Sequence, residues 1–229
     1  MRSDSRPDFP FVDYRMPKVP GPVLVERGKR HFELMNARRS CRAFAPDSVP
    51  REAIEWAIRA ASTAPSGAHR QPWRFVAIED VTLKREIRIA AEAEEKKSYE
   101  ERMPDDWLEA LAPFGTTWEK PFLEIAPWLV VVFEETSGFH ADGRPRKNYY
   151  VKESVGIACG LFISALHQMG LCTLTHTPSP MGFLRTLLRR PDNEKPYILF
   201  PIGFPAADAR VPDLARKPLD QVAEFHPPR

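Results

Sequence analysis

Cysteine is scarce in this chain. Cys41, Cys159 and Cys172 are the three present in 229 residues, and no pair has C-x-x-C spacing. A disulfide framework and a cysteine-rich zinc site are therefore not expected. The six histidines, at 31, 69, 140, 167, 176 and 226, show no ligand spacing, so no metal is expected either. Charge of one sign is also lacking: 33 Lys and Arg stand against 31 Asp and Glu, a formal net charge of +2. Nucleic-acid binding needs a clustered basic face, so no nucleic-acid partner is expected. No apolar run approaches the roughly 20 residues that span a bilayer. The longest, such as residues 125–133, are strand-sized, and the first 22 residues are broken by prolines and charges, with no signal-peptide core. A soluble, cytoplasmic protein with no membrane partner is the expectation. G-x-G-x-x-G, Walker A, G-x-S-x-G and H-E-x-x-H are all missing.

What is present is a composition typical of one globular domain, 43% hydrophobic and 28% charged. Prolines at 7, 10, 17, 20 and 22 predict an irregular N-terminal arm over residues 1–22. Residues 23–37 read as a helix with Phe32 and Met35 inward. Residues 50–62 read as a second, with Ile54, Ala57, Ile58 and Ala61 on one stripe and Pro50 suited to its first turn. A strand is predicted at 73–78 and a long charged helix over 82–102 with Leu83, Ile87, Ala90 and Ala91 inward. The spacing further predicts a helical turn at 108–111, a central strand at 128–133 and a helix over 149–169 stopped by Gly170. Strands at 172–175 and 197–203 enclose a short helix at 183–189. The fold class is α+β, a central mixed sheet flanked by helices.

Four segments have chemistry. Arg38-Arg39-Ser40-Cys41-Arg42 puts three guanidiniums and a hydroxyl within reach of one phosphate, although a basic helix end complementing the macrodipole explains it equally well. Residues 63–69, TAPSGAH, with Gln71-Pro72-Trp73 pack small residues densely enough for backbone to approach a ligand, or simply make a tight turn. Thr175-His176-Thr177 places hydroxyls at a strand end, where ligands commonly bind. Residues 213–220, DLARKPLD, carry Arg216 in what composition alone reads as a solvated tail.

Taken together and in this order, the segments resemble the nitroreductase superfamily of FMN proteins, in particular its halotyrosine deiodinase branch. The likeness runs from about residue 32 to residue 221. It implies a nitroreductase-like fold with FMN held by Arg38, Arg39, Ser40 and Arg42, Cys41 being a variable position in that run, and by Arg216 at the phosphate. Ser66 matches a flavin contact supplied across a homodimer whose active sites lie at the subunit interface, with extended termini wrapping the partner. Thr175, His176 and Thr177 match the stretch beside the isoalloxazine, His176 replacing a threonine, and the Thr177 hydroxyl matches one near flavin N5 that favours single-electron chemistry. Ala68 would meet the substrate phenolate through its N–H. Glu95, Tyr99 and Lys120 match the group that grips an amino-acid zwitterion. The spacing of Glu95 and Tyr99 puts them on one helix face, while a charge run there is also what an ordinary solvated face looks like.

The implied domains are the arm (1–22), an FMN domain (23–205) with a substrate lid (91–120), and a C-terminal extension (206–229). The implied reaction turns mono- and diiodotyrosine into tyrosine and halide, with electrons from NAD(P)H or a reductase. Two alternatives remain open at this point. A general nitroreductase or quinone reductase would use the same flavin but not Glu95, Tyr99 and Lys120, and a non-catalytic module would only sense a phenolic ligand.

Overall fold

The computed structural model describes residues 10–140, 142–226 and 228. The chain divides into two units, one ending at Ala37 and one beginning at Arg38. In the first, residues 10–20 form no regular element, as their prolines dictate; the rest of the predicted arm, residues 1–9, lies outside the described residues. Helix α1 (Gly21–Ala37) follows, with an i,i+4 ion pair between Arg30 and Glu26 at 2.8 Å. None of its residues is buried, and Phe32 is 63% exposed rather than facing a core. Apolar spacing finds a stripe but does not say what covers it.

The second unit is built on a four-stranded sheet. Strand β2 (Trp128–Glu135) lies between β1 (Trp73–Ile78) and β6 (Glu194–Gly203), and β5 (Cys172–Thr173) closes the far side of β6. These ladders are all antiparallel. A parallel element enters through an isolated bridge between Ser40 and Thr173, and in that limited sense the sheet is mixed.

The unbroken apolar run of β2 is explained by cover on both faces. Trp128, Val130 and Val132 pack toward α2 (Arg51–Ala61) and α6 (Val151–Gln168). Leu129, Val131 and Phe133 pack with Ile87 and Ala91 of α3 (Val81–Lys97), Phe122 and Leu123 of α5 (Phe122–Ile125), and Leu184 of α7 (Gly182–Leu187). The glycine after α6, Gly170, takes φ +80°, the left-handed stop that its sequence position suggests.

Three features depart from the sequence expectations. The long charged helix stops at Lys97 and continues as a π-helical turn, Ser98–Arg102, before α4 (Asp105–Leu111). The strand expected at 172–175 is two residues long, because the chain leaves the ladder and rejoins β6 through a bridge between His176 and Leu199. Lys84 on α3 is buried, its Nζ donating to the Ala126 carbonyl at 2.8 Å, which satisfies a charge the stripe analysis placed outside. A small hairpin of β3 (Ser137–Phe139) and β4 (Pro145–Lys147) had no clear sequence signal. Among the described residues no helix is long and apolar enough to cross a membrane.

Candidate functional site

The arginine-rich segment leaves α1 as extended chain, and this sets which side chains face out. Ser40 is exposed, Cys41 is 4% exposed and Arg42 is half-buried. Arg38, Arg39, Ser40 and Arg42 line a cleft of about 170 Å³ closed on its far side by Val211, Pro212, Leu214, Ala215 and Arg216. Arg216 donates to the Arg38 carbonyl at 2.9 Å, tying the C-terminal segment to the arginine run across 178 positions of sequence. Arg39 donates to the same carbonyl, also at 2.9 Å. Burial, then the neighbouring Arg216 and Arg39 charges, lower the Arg38 guanidinium from its usual value. Crowded like charges of this kind are relieved by an anion. Cys41 belongs to the run but not to the cleft wall: its thiol turns inward and donates to the Ala43 carbonyl at 3.1 Å.

A second cavity of about 180 Å³ shares Arg42 with the cleft. Its walls bring together Glu95 from α3, Tyr99 from the π turn, Lys120 from the segment before α5, and Thr175, His176 and Thr177 after β5. Lys120 Nζ lies 3.5 Å from Glu95 Oε2, 5.4 Å from the Tyr99 ring centre, and donates to Thr116 Oγ1 at 3.3 Å and to the Thr117 carbonyl. The Tyr99 hydroxyl donates to the Thr116 carbonyl at 3.4 Å. Burial raises the Glu95 carboxyl and lowers the Lys120 ammonium, while each charge supports the other. Lys120 is only 3% exposed, so this is a desolvated pair rather than a solvated face.

The strand end is also sorted by alternation. Thr175 and Thr177 are exposed, and His176 between them is buried. Phe122 meets the His176 ring edge-on, with centres 5.8 Å apart. Burial, with the Lys120 and Arg42 charges, depresses the imidazole to about 3. Its Nε2 has no hydrogen-bond partner among the described residues.

Ser66 and Ala68 line neither cavity. Their turn is nonetheless unusual: Ala68, His69 and Gln71 all have φ near +50°, which costs strain in non-glycine residues. Ser66 Oγ accepts from the Gln71 N–H at 2.9 Å, and a Cβ on Gly67 would come within 2.7 Å of the Tyr149 carbonyl oxygen. Sequence reasoning missed the apolar lining of the second cavity, Met103, Trp107 and Leu111, and missed Thr116. Their region is rich in Pro and Trp and has no clean period to place them. Among the described residues no group of His, Cys, Asp and Glu is arranged to hold a metal.

The arginine cleft thus shares Arg42 with a cavity that holds the Glu95–Lys120 ion pair. The chain belongs to the nitroreductase family, which matches residues 35–204. Within that family its similarity is to the iodotyrosine deiodinases. It is 52% identical over 207 residues to the iodotyrosine deiodinase of Haliscomenobacter hydrossis, covering 90% of this chain and 93% of the relative. It is 43% identical over 223 residues to that of Danio rerio, covering 97% and 76%. A crystal structure of an iodotyrosine deiodinase bound to FMN and 3-iodo-L-tyrosine matches with a TM-score of 0.73 and 31% identity, covering 85% of this chain and 100% of that one. A nitroreductase with bound FMN from Bacteroides fragilis has the same fold at 21% identity and a TM-score of 0.64, covering 86% and 98%.

Proposed function

We propose that this chain is an FMN-dependent reductive dehalogenase that converts mono- and diiodotyrosine to tyrosine and iodide. The observation that carries the proposal is the sharing of Arg42 between the arginine cleft and the cavity of Glu95, Tyr99 and Lys120. The cleft suits a phosphate monoester: Arg38, Arg39, Arg42 and Arg216 offer charge-assisted donors, and Ser40 adds a hydroxyl. When bound, FMN supplies the two electrons that, with one proton, replace the carbon–iodine bond by carbon–hydrogen and release iodide. NAD(P)H, directly or through a reductase, is the proposed source of those electrons.

The protein's own work is recognition and orientation. Without ligand, Glu95 and Lys120 satisfy one another at 3.5 Å. An amino-acid zwitterion brings one charge of each sign. Its ammonium would meet Glu95 and its carboxylate would meet Lys120, with the Tyr99 hydroxyl as a further donor, so every buried charge keeps an opposite neighbour. The exposed Thr177 hydroxyl is free to turn toward the flavin. Residues 91–120 would serve as the lid that excludes water once these contacts form.

Ser66 and the Ala68 N–H would reach the site from a second copy of the chain, making the enzyme a homodimer with its sites at the interface. Their position outside both cavities of their own chain supports this. A compartment that keeps the three free thiols reduced, the cytoplasm, suits the composition.

Glu95→Gln tests the substrate class, because it keeps the shape and removes the charge that answers the ammonium. Removing a charged hydrogen bond costs about 1.5–3 kcal/mol, or roughly ten- to a hundredfold in iodide release from diiodotyrosine. Reduction of a small nitroarene by the same variant should be unchanged. Equal losses on both substrates would make the protein a general nitroreductase instead.

A further inference from the structure

Glu95 and Tyr99 lie on either side of the join between α3 and the π turn, and that join is fastened at both ends. The carbonyl oxygen of Ser179 receives the first residue of the π turn and the last. Ser98 Oγ lies 3.3 Å from it, and Arg102 Nη1 donates to it, also at 3.3 Å. Both residues turn back to Glu94 as well. Ser98 Oγ is 3.0 Å from the Glu94 carbonyl oxygen, so its one hydrogen is shared, and Arg102 Nη1 donates to Glu94 Oε2 at 3.1 Å. Lys97 Nζ lies 3.4 Å from the other carboxylate oxygen, Oε1. The Arg102 hydrogen bond, with the Lys97 charge, holds the Glu94 carboxyl below its ordinary value.

Ser179 belongs to the segment that has just supplied Thr175, His176 and Thr177 to the second cavity, whereas Glu94, Ser98 and Arg102 line none of that cavity. Their contacts also do little for the fold. The Arg102 side chain is 44% exposed, and an ion pair so open to water adds little to stability. What they fix is geometry. A π turn is a rare backbone state met mostly at functional sites, and here Tyr99 sits inside one that is pinned at each end.

We propose that Arg102 is a positioning residue for halotyrosine recognition, acting through Glu94 and the Ser179 carbonyl. It holds Glu95 and Tyr99 in register with Lys120 for the amino-acid group of the substrate, without touching the substrate itself. This rests on the deiodinase reading and names the residue that keeps its clamp in place. The proposed lid then has two parts: a start fastened to the segment of Thr177, and α4, which has no buried residue and is left to move. Both Arg102 bonds come from one guanidinium nitrogen. The planar fork is therefore not what the site uses, and a lysine ammonium with its three donors can stand in.

The test titrates the FMN-loaded protein, by flavin fluorescence, with diiodotyrosine and with diiodophenol, which has the same ring and no amino-acid group. Misplacing a binding group by about 1 Å can cost a hundredfold, so Arg102→Ala should raise the Kd for diiodotyrosine about tenfold or more. The Kd for diiodophenol should not change, and Arg102→Lys should recover most of the loss. Glu94→Ala should cost as much as Arg102→Ala, and the double variant no more than either, as expected of two residues acting as one unit. Should Arg102→Ala not hold flavin, Ser98→Ala removes the other donor to Ser179 and should show the same selectivity. Equal weakening of both ligands, or additive losses in the double variant, would overturn the proposal. So would an unchanged Kd for diiodotyrosine, and the deiodinase reading would then survive as long as the unmodified protein still prefers diiodotyrosine. No such preference in the unmodified protein would remove that reading and the positioning role with it.

Discussion

Thr175 and Thr177 turn out from the strand end while His176 turns in, and the inward position sits near two cations. Protonation there would add a third positive charge in a desolvated space, which is why the imidazole is held at about 3 against an ordinary 6.5. The sign of the effect on stability follows. Above about pH 6.5 His176 is neutral folded and unfolded, and contributes nothing. As pH falls from there toward 3, the unfolded chain takes a proton that the folded chain refuses, so stability declines, and the loss levels off below the folded value. At about pH 4.5 the difference is two pKa units, or about 2–3 kcal/mol. Urea unfolding of His176→Asn at pH 7 and pH 4.5 should therefore show a smaller acid loss than the unmodified protein by that amount. Identical pH slopes would mean that His176 is not the group responsible. The arginines make the opposite kind of claim, since their crowding is relieved by binding. Arg39→Ala removes a charge-assisted donor worth about 1.5–3 kcal/mol, so FMN should bind roughly tenfold or more weakly by fluorescence titration. An unchanged FMN dissociation constant in that titration would show that the cleft holds something else.

At the scale of elements, legibility followed periodicity. β1 was readable to the residue and α2 to within one, because Ile54, Ala57 and Ala61 repeat on one buried face. β2 was readable as fully buried because WLVVVF has no polar alternate. Residues 98–120, which supply much of the second cavity's wall, were readable only in part: the turn expected at 108–111 falls within α4, while the π turn and the path from α4 to Lys120 follow no period. The π turn at Ser98–Arg102 inserts an extra residue into the helical repeat, and no local residue preference announces it. It is held by Ser98, which donates to the Glu94 and Ser179 carbonyls at 3.0 and 3.3 Å, contacts that sequence spacing cannot reveal. The candidate site was legible in its residues but not in its partition: nothing in the run from Arg38 to Arg42 tells that Cys41 turns away from the cleft. Helix α4 has no buried residue, and Trp107 is 53% exposed. An element with so little apolar burial opens at low cost. Amide exchange in residues 105–111 should thus be fast without ligand and slowed at least severalfold by iodotyrosine, with β2 unchanged. Slow exchange before ligand addition would remove the lid from the mechanism.

At the scale of the whole molecule, the apolar surface is the unfinished part. Helix α6 spends one face on the sheet through Val155, Ala158, Phe162 and Leu166, yet leaves Ile157 46% and Leu161 37% exposed. Helix α1 buries nothing and exposes Leu24, Val25 and Phe32, and near the C-terminus Leu219, Val222 and Phe225 are exposed as well. Uncovered apolar side chains clustered on helix faces mark interaction surfaces. The proposed second copy would cover such side chains, and would also meet the turn at Ser66 and Ala68, which lines neither cavity of its own chain. Sedimentation equilibrium should give twice the chain mass with flavin bound. Leu161→Glu introduces a charge into the proposed contact while sparing the buried face of α6, so the variant should keep its helical circular dichroism. It should sediment as a monomer and lose flavin, since each site would be deprived of the partner's Ser66 turn. A flavin-saturated monomer, from the unmodified protein or the variant, would show that the site is complete within one chain.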